Sequence, residues 1–167
     1  DTQSYTYNGR GGVPLGNFFN RLVFSLVHGE RNILFNASIN DNSKIMYVRN
    51  PSDRVKAVAP FLTLDTDPYP AVVDGRITWI VDGYTTLANY PYAKQMSLGD
   101  ATATALQGVP RLPDEEISYI RNSVKATVDA YDGTVTIYGF DETDPVLRTW
   151  AAAFPGVVKP ASAISDS

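Results

Sequence analysis

The sequence contains no cysteine and only one histidine among its 167 residues. Without cysteine the chain can form no disulfide, no thiolate metal site and no cysteine nucleophile. This composition fits an oxidising compartment without requiring one. The single histidine, His28, would need other strong ligands to build a zinc site, and no Gly-x-Ser-x-Gly motif is present to make it part of a hydrolase triad. We interpret His28 as a side chain near a helix C-terminus, where the helix dipole favours a cation.

The chain also lacks a basic block and a long apolar run. Its 14 Lys and Arg residues against 18 Asp and Glu residues give a formal net charge of −4, so we expect no nucleic-acid partner. No stretch approaches 18 consecutive apolar residues, so we expect that this piece does not itself span a membrane. The length fits one domain, 1–167. Because it begins at Asp1 rather than Met, we expect a piece of a larger protein.

Three segments have the apolar spacing and the caps of short helices. The spacing predicts helices over 18–28, 51–59 and 145–154, with N-caps at the residues just before them. Those caps are Asn17, Asn50 and Asp144. Ser, Asn and Asp side chains in this place accept hydrogen bonds from the free N–H groups of the first turn.

Two further segments have the period of two that is typical of β-strands. Each surrounds an Asp-Gly pair, Asp74-Gly75 and Asp132-Gly133, which favours a hairpin because tight turns need positive φ. Ahead of the second hairpin we expect a short helix or turn from 115 to about 121. The predicted fold is α+β: an antiparallel sheet built from two hairpins, covered by three or more short helices. We expect an irregular lead-in over 1–16, a long loop over 98–113 and a tail or linker over 157–167.

The stretch LDTDPYPAVVDGRITWIVDGYTT, residues 64–86, holds four aspartates. Catalysis would need two carboxylates across a substrate, as in glycoside hydrolysis. Calcium would need a cluster of oxygen ligands, but no complete EF-hand loop follows Asp65 and Asp67. The simplest interpretation is that Asp67 and Asp74 make turns and Asp82 ends a strand. The sequence favours turns and strand ends, and identifies no catalytic residue, metal ligand or cofactor.

An internal similarity links Asp82 with Asp129. Both follow a valine and precede a small residue and a tyrosine, so we predict equivalent strand ends on one sheet. Arg121 lies at a strand entry, and we expect it to pair with Asp82 or Asp129 in a salt bridge.

Tyrosine is abundant, with ten residues. Tyrosine combines an apolar ring with a polar tip and suits contact surfaces. Tyr90 and Tyr92 flank a proline in ANYPYAK, and we predict a ligand or partner surface there, together with Tyr84, Asp82, Asp129 and Arg121. The alternative is that the two rings belong to the core and that 98–113 is a disordered insertion.

Several long strings resemble an uncharacterised family of large multi-pass bacterial membrane proteins, UPF0182. They are GRGGVPLGNFFNRLVFSLVHGERNILF, RVKAVAPFLTLDTDPYPAVVDGRITWIVDGYTT, YPYAKQMSL and YIRNSVKATVDAYDGTVTIYGFDETDPVLRTWAAAFPG. Members often have Asn-Gly where this chain has Asp132-Gly133, and 98–114 matches no shared motif. The resemblance implies a membrane-anchored parent whose large extracytoplasmic region contains this piece. It implies no activity and no catalytic residues.

From the residues and the resemblance together we expect a non-enzymatic extracytoplasmic interaction or ligand-binding domain. The partners we expect are the remainder of its own parent chain or a component of the cell envelope. The alternative function is a carboxylate-dependent enzyme that acts on cell-envelope glycan. The two are separated by whether the Asp and Tyr side chains converge in one pocket.

Overall fold

The computed structural model describes residues 5–101 and 115–165. The chain divides after Arg49 into two compact units. Most of the expected 98–113 loop, residues 102–113, lies outside the described residues.

The first unit is organised around the predicted helix over 18–28. Its elements are β1 (Val13–Pro14), α1 (Phe18–His28), α2 (Asn32–Phe35) and β2 (Lys44–Ile45), and β1 pairs with β2 antiparallel. The bounds of α1 are confirmed. The Asn17 side chain accepts a hydrogen bond from the backbone N of Asn20 at 2.7 Å, and Gly29 ends the helix in the left-handed conformation with φ 66°.

The second unit contains the main sheet and the two other predicted helices. Its elements are α3 (Pro51–Val58), β3 (Thr63–Leu64), β4 (Tyr69–Val73), β5 (Arg76–Leu87), β6 (Met96–Ser97), α4 (Leu98–Ala101), β7 (Glu116–Ile117), β8 (Tyr119–Asp129), β9 (Val135–Gly139), α5 (Pro145–Ala153), β10 (Val158–Pro160) and a 3₁₀ turn over Ala161–Ala163. The α+β class is therefore confirmed.

The sheet grows outward from the long strands β5 and β8, which pair antiparallel with each other. The β4–β5 hairpin and the β8–β9 hairpin extend it on the two sides. β3 pairs antiparallel with β5 at Gly83 and Tyr84, in the C-terminal half of that strand. β10 pairs parallel with β9. The sheet is thus mostly antiparallel, and β3 and β10 belong to it in addition to the two hairpins. The segment 157–167, expected to be a tail, supplies β10 and the 3₁₀ turn.

The two predicted Asp-Gly turns differ. Asp74 and Gly75 have φ of 50° and 75°, as a tight primed turn requires. Gly133 also has positive φ, 69°, but the β8–β9 ladder already ends at Val128 and Val135. The second hairpin therefore closes through a longer loop.

The predicted short helix or turn from 115 to about 121 is wrong. β7 occupies Glu116–Ile117, and β8 begins at Tyr119. Because β5 extends as far as Leu87, it offers backbone partners to Tyr119, Ile120 and Arg121. That pairing overrides a helical spacing of apolar residues, which is only a local preference.

The core of the second unit lies between one face of the sheet and the helices α3 and α5. Its buried residues are Val55, Ala59, Leu62, Val81, Val124, Ala126, Val128, Ile137 and Leu147. Phe61, Trp150 and Phe154 stack at its margin, with 4.7 Å between the first two ring centroids. The predicted covering role is thereby confirmed for 51–59 and 145–154, whereas α1 belongs to the first unit.

A buried carboxylate joins α5 to the sheet. Asp144 is 0% exposed and caps α5 by accepting a hydrogen bond from the backbone N of Val146 at 2.9 Å. It also accepts hydrogen bonds from the hydroxyls of Thr85, Ser123 and Tyr119, the last two at 2.5 Å. Burial acts to raise the pKa of Asp144, but these hydrogen bonds outweigh it and lower the pKa below the usual carboxyl value.

Substitution of Asp144 is expected to destabilise the second unit strongly. Asp144→Ala removes the cap and leaves three hydroxyls without their acceptor, which we expect to cost about 3 kcal/mol of unfolding free energy. Urea unfolding followed by circular dichroism measures this. Asp67→Asn, at an exposed aspartate, is the control and should shift stability by less than about 0.5 kcal/mol. Equal effects of the two substitutions would contradict the central role of Asp144.

The same carboxylate predicts a pH dependence. Because the pKa of Asp144 is lowered by folding, its contribution is present above the unfolded value of 3.8 and is lost as pH falls through the folded value. The stability difference between the native chain and Asp144→Asn should therefore be largest near neutral pH and shrink below that value. Unfolding curves from pH 7 to pH 2 measure it, and a difference that does not change with pH would refute the assignment.

Candidate functional site

The six residues predicted to form a surface have different partners in the structure. All six lie in the second unit, on β5, on β8 and in the loop after β5. They fall into four settings.

Asp82 and Tyr84 lie on the face of β5 opposite the main core, and Tyr84 packs there against the buried side chains of Leu98 and Ile117. Val81, Gly83 and Thr85 are buried, while Asp82 and Tyr84 alternate with them and are half-buried.

Asp82 is paired directly with Lys125, its partner across the β5–β8 ladder. The Lys125 ammonium also lies 5.8 Å from the ring centroid of Phe140. Burial, and then the charges of Asp65 and Asp82, raise the pKa of Tyr84, which bonds to the Asp65 carboxylate. Tyr84 is therefore a neutral hydrogen-bond donor, and Asp82 is one half of an ion pair.

The Asp129 carboxylate binds backbone N–H groups of the loop between β8 and β9. One carboxylate oxygen accepts from the backbone N of Tyr131 and of Asp132, at 2.8 and 2.7 Å, and the other contacts Arg76 Nε at 2.8 Å. Burial acts to raise the pKa of Asp129, but these hydrogen bonds lower it. The sequence suggested that Asp129 and Asp82 are equivalent strand ends. They share the sheet, but Asp82 lies within β5 and Asp129 ends β8, so the equivalence is wrong.

Arg121 forms a salt bridge, but with Asp141 rather than with Asp82 or Asp129. Arg121 Nη1 lies 3.0 Å from Asp141 Oδ2. Hydrogen bonds from Thr143, and then the charge of Arg121, lower the pKa of Asp141. Exposed pairs of this kind contribute little to stability, so we assign Arg121 a local role at the loop that precedes α5.

Asp74 and Asp65, two further aspartates of the 64–86 stretch, have local roles. Asp74 lies in the tight turn, and its carboxylate accepts a hydrogen bond from Ser165 Oγ. Asp65 Oδ1 accepts from the backbone N of Thr66 at 2.6 Å. Across residues 5–101 and 115–165, no three His, Cys, Asp or Glu side chains come together as metal ligands.

Tyr90 and Tyr92 are the predicted site residues that point to a contact surface. We call this pair the tyrosine rim. Tyr90 is 40% exposed and Tyr92 is fully exposed, so Tyr92 is not a core residue. Tyr92 also has a positive φ of 60°, which is uncommon for a residue other than glycine.

The tyrosine rim is anchored at its base. The Tyr90 ring stacks on Tyr119 with 4.9 Å between centroids, and the Tyr90 backbone N donates to Ser118 Oγ at 2.6 Å. Tyr119 in turn donates its hydroxyl to Asp144. Burial, followed by this hydrogen bond, raises the pKa of Tyr119 to about 12. The Tyr90 ring is therefore held by its contact with Tyr119, whereas the Tyr92 ring is fully exposed.

A second surface, which was not among the predicted sites, lies on α1. The helix turns its more polar side toward its own unit: Arg21 Nε donates to the carbonyl of Leu15 at 2.7 Å, Asn20 Nδ2 donates to that of Pro14 at 2.8 Å, and Ser25 is buried. The opposite side, which we call the outer face of α1, is apolar and exposed. It comprises Phe19, Val23 and Leu26, which lie within about 60° of one another around the helix axis, with Val27 at its margin.

Apolar spacing at 18–28 correctly predicted a helix but is normally taken to mark its buried side. The hydrogen bonds of Asn20 and Arg21 show that the more polar side of α1 faces the rest of the first unit. His28 stacks on Phe24 with 6.0 Å between ring centroids.

A double-mutant cycle tests whether Asp82 is half of a structural pair rather than a free acid. Asp82→Ala and Lys125→Ala should show a coupling of about 0.5–1 kcal/mol in unfolding free energy, because both side chains are partly shielded. Urea unfolding of the four proteins measures it. Independent, additive effects would show that the pair does not stabilise the sheet.

Comparison with known proteins places these features in a family. The model of the uncharacterised protein family UPF0182 matches residues 1–167. Similar UPF0182 proteins occur in Saccharopolyspora erythraea, 66% identical over 165 residues, in Nocardia farcinica, 60% identical, and in Mycobacteroides abscessus, 59% identical. Each alignment covers 99% of this chain but 17% of the relative.

No solved structure matches the chain. None of the helices in the described ranges is both long enough and apolar enough to cross a membrane. The family match over the whole length and the high identities agree, and the chain belongs to the uncharacterised protein family UPF0182.

Proposed function

We propose that this chain is a non-enzymatic, extracytoplasmic interaction domain of a multi-pass membrane protein, and that the tyrosine rim is its contact surface. The observation that carries the proposal is the full exposure of Tyr92 beside an anchored Tyr90. Aromatic rings with a polar tip supply large contact area at a low cost in conformational entropy, so they are frequent at interfaces.

The geometry of the rim supports contact because its base is fixed before any partner arrives. Tyr90 is held by its stack on Tyr119 and by the hydrogen bond to Ser118. Preorganisation of this kind lowers the entropy lost on binding. Tyr92 keeps a positive φ without burying its ring. Backbone strain that is not explained by packing is a recognised indication of a functional position.

The carboxylates near the rim support contact rather than proton transfer. Asp144 is buried and accepts four hydrogen bonds, and Asp141 pairs with Arg121. A general acid and base would need carboxylates that can reach a substrate with suitable pKa values. No observation on the described residues favours the alternative of an enzyme acting on envelope glycan.

We base the proposed extracytoplasmic position and membrane anchor on the family resemblance. The absence of cysteine is compatible with that position. The chain spans about 17% of the length of the curated relatives it matches, so the membrane helices of the proposed parent would lie in the remainder. Partners are accordingly that remainder or a component of the cell envelope.

Tyrosine footprinting tests both parts of the proposal. A membrane-impermeant tyrosine-modifying reagent is applied to intact cells that carry the full-length parent, and to the purified 167-residue chain. We expect Tyr131, which is partly exposed at the β8–β9 loop, to react in both samples. Tyr92 should react in the purified chain and be protected in cells, because its partner covers the ring.

The outcomes separate the parts of the proposal. If Tyr131 reacts only after lysis, the domain is not extracytoplasmic. If Tyr92 reacts equally in both samples, the rim is not a contact surface. Digestion of the cell-wall glycan before labelling distinguishes an envelope partner, for which protection disappears, from the parent chain, for which it remains. Tyr92→Ala should leave the unfolding midpoint of the purified chain unchanged, since the ring has no packing to lose.

A further inference from the structure

The outer face of α1 is an apolar surface that the tyrosine rim does not explain. Phe19 and Leu26, separated by two helical turns on the same side, are 71% and 74% exposed, and Val23 between them is 38% exposed. Single exposed apolar side chains are ordinary, but a contiguous group of this kind marks an interaction site.

The orientation of α1 is fixed by its own unit. Arg21 and Asn20 reach back to the carbonyls of Leu15 and Pro14, and Ser25 is buried. Rotation of the helix to bury its apolar side would break these hydrogen bonds and leave backbone carbonyls without a donor. The apolar side therefore stays outward until another surface covers it.

We propose that the outer face of α1 docks onto an apolar segment of the same polypeptide that lies outside these 167 residues. The chain spans about 17% of its relatives' length, so a long remainder is available as the partner. This proposal shares with the proposed function only the existence of a longer parent, and it concerns a different surface.

The size of the face argues for an intramolecular partner. An 11-residue helix is about 16 Å long and about 10 Å wide, so one face offers on the order of 200 Å². A stable association between separate molecules buries about 800 Å² on each partner. A second copy joined through this face alone would fall well short of that area. A segment of the same chain avoids most of the association entropy, because it is present at a high effective concentration.

Charge argues against a lipid surface. Helices that lie on membranes combine an apolar face with Lys and Arg on the polar face. The only Lys or Arg within α1 is Arg21, whose guanidinium is turned inward onto the Leu15 carbonyl. The chain as a whole has a net charge of −4, which does not favour anionic lipid headgroups.

Site-specific photo-crosslinking in the full-length parent tests the docking. A benzophenone amino acid replaces Phe19 or Leu26 in the parent expressed in membranes, and crosslinked peptides are identified by mass spectrometry. We expect both positions to crosslink to a peptide of the same polypeptide outside these 167 residues. The same substitution at Arg148, an exposed charged position on α5, is the control and should give no crosslink to that peptide.

Four results would overturn the proposal. They are crosslinks to another part of these 167 residues, crosslinks to lipid, crosslinks between differently tagged copies of the parent, and no crosslink at either position. None of them depends on Tyr92, so failure here is distinguishable from failure of the tyrosine rim.

A charge substitution supplies the second measurement. Leu26→Asp in the purified 167-residue chain should leave the unfolding midpoint unchanged, because the side chain is exposed. In the full-length parent the same change should make this region more sensitive to limited proteolysis, while Arg148→Asp should not. Equal protease sensitivity of the native and Leu26→Asp parents would contradict docking through this face.

Discussion

The second unit depends on one buried carboxylate. Asp144 ends the loop before α5 and binds a backbone N–H of that helix, while its other hydrogen bonds come from Thr85 on β5 and from Ser123 and Tyr119 on β8. A carboxylate out of contact with water is costly unless its oxygens are fully hydrogen-bonded. The position of α5 and the register of the two central strands are therefore set together, since neither satisfies Asp144 without the other.

This constraint extends to the surface. Tyr119 bonds to Asp144 through its hydroxyl and stacks on Tyr90 through its ring, so Tyr119 links the rim to the buried carboxylate. On the face of β5 that points away from the main core, polar side chains form pairs such as Asp82 with Lys125. Asp82, Asp129 and Asp144 are thus engaged in holding strands, a loop and a helix cap, whereas Tyr92 and the outer face of α1 are exposed.

Helices and tight turns were predictable because their causes are local. The bounds of α1, the caps Asn50 and Asp144, and the Asp74-Gly75 turn all follow from residues within a few positions of one another. The segment from 115 to 121 was not predictable in the same way. Its helical spacing is a local preference, whereas its strand conformation comes from pairing with β5, about 35 residues earlier in the chain. The strand β10 likewise forms through pairing, in this case parallel to β9.

The sequence by itself determined the α+β class, the principal helices and the strand pattern of the two hairpins, because the periodicity and capping that encode them act within a few residues. It also contained the family resemblance. Only the tertiary structure decided the partners of the charged groups, such as Arg121 with Asp141, and the direction in which α1 turns its apolar side. The physical reason is that an amphipathic pattern shows that two sides differ, whereas the hydrogen bonds of Arg21 and Asn20 with distant carbonyls decide which side faces inward.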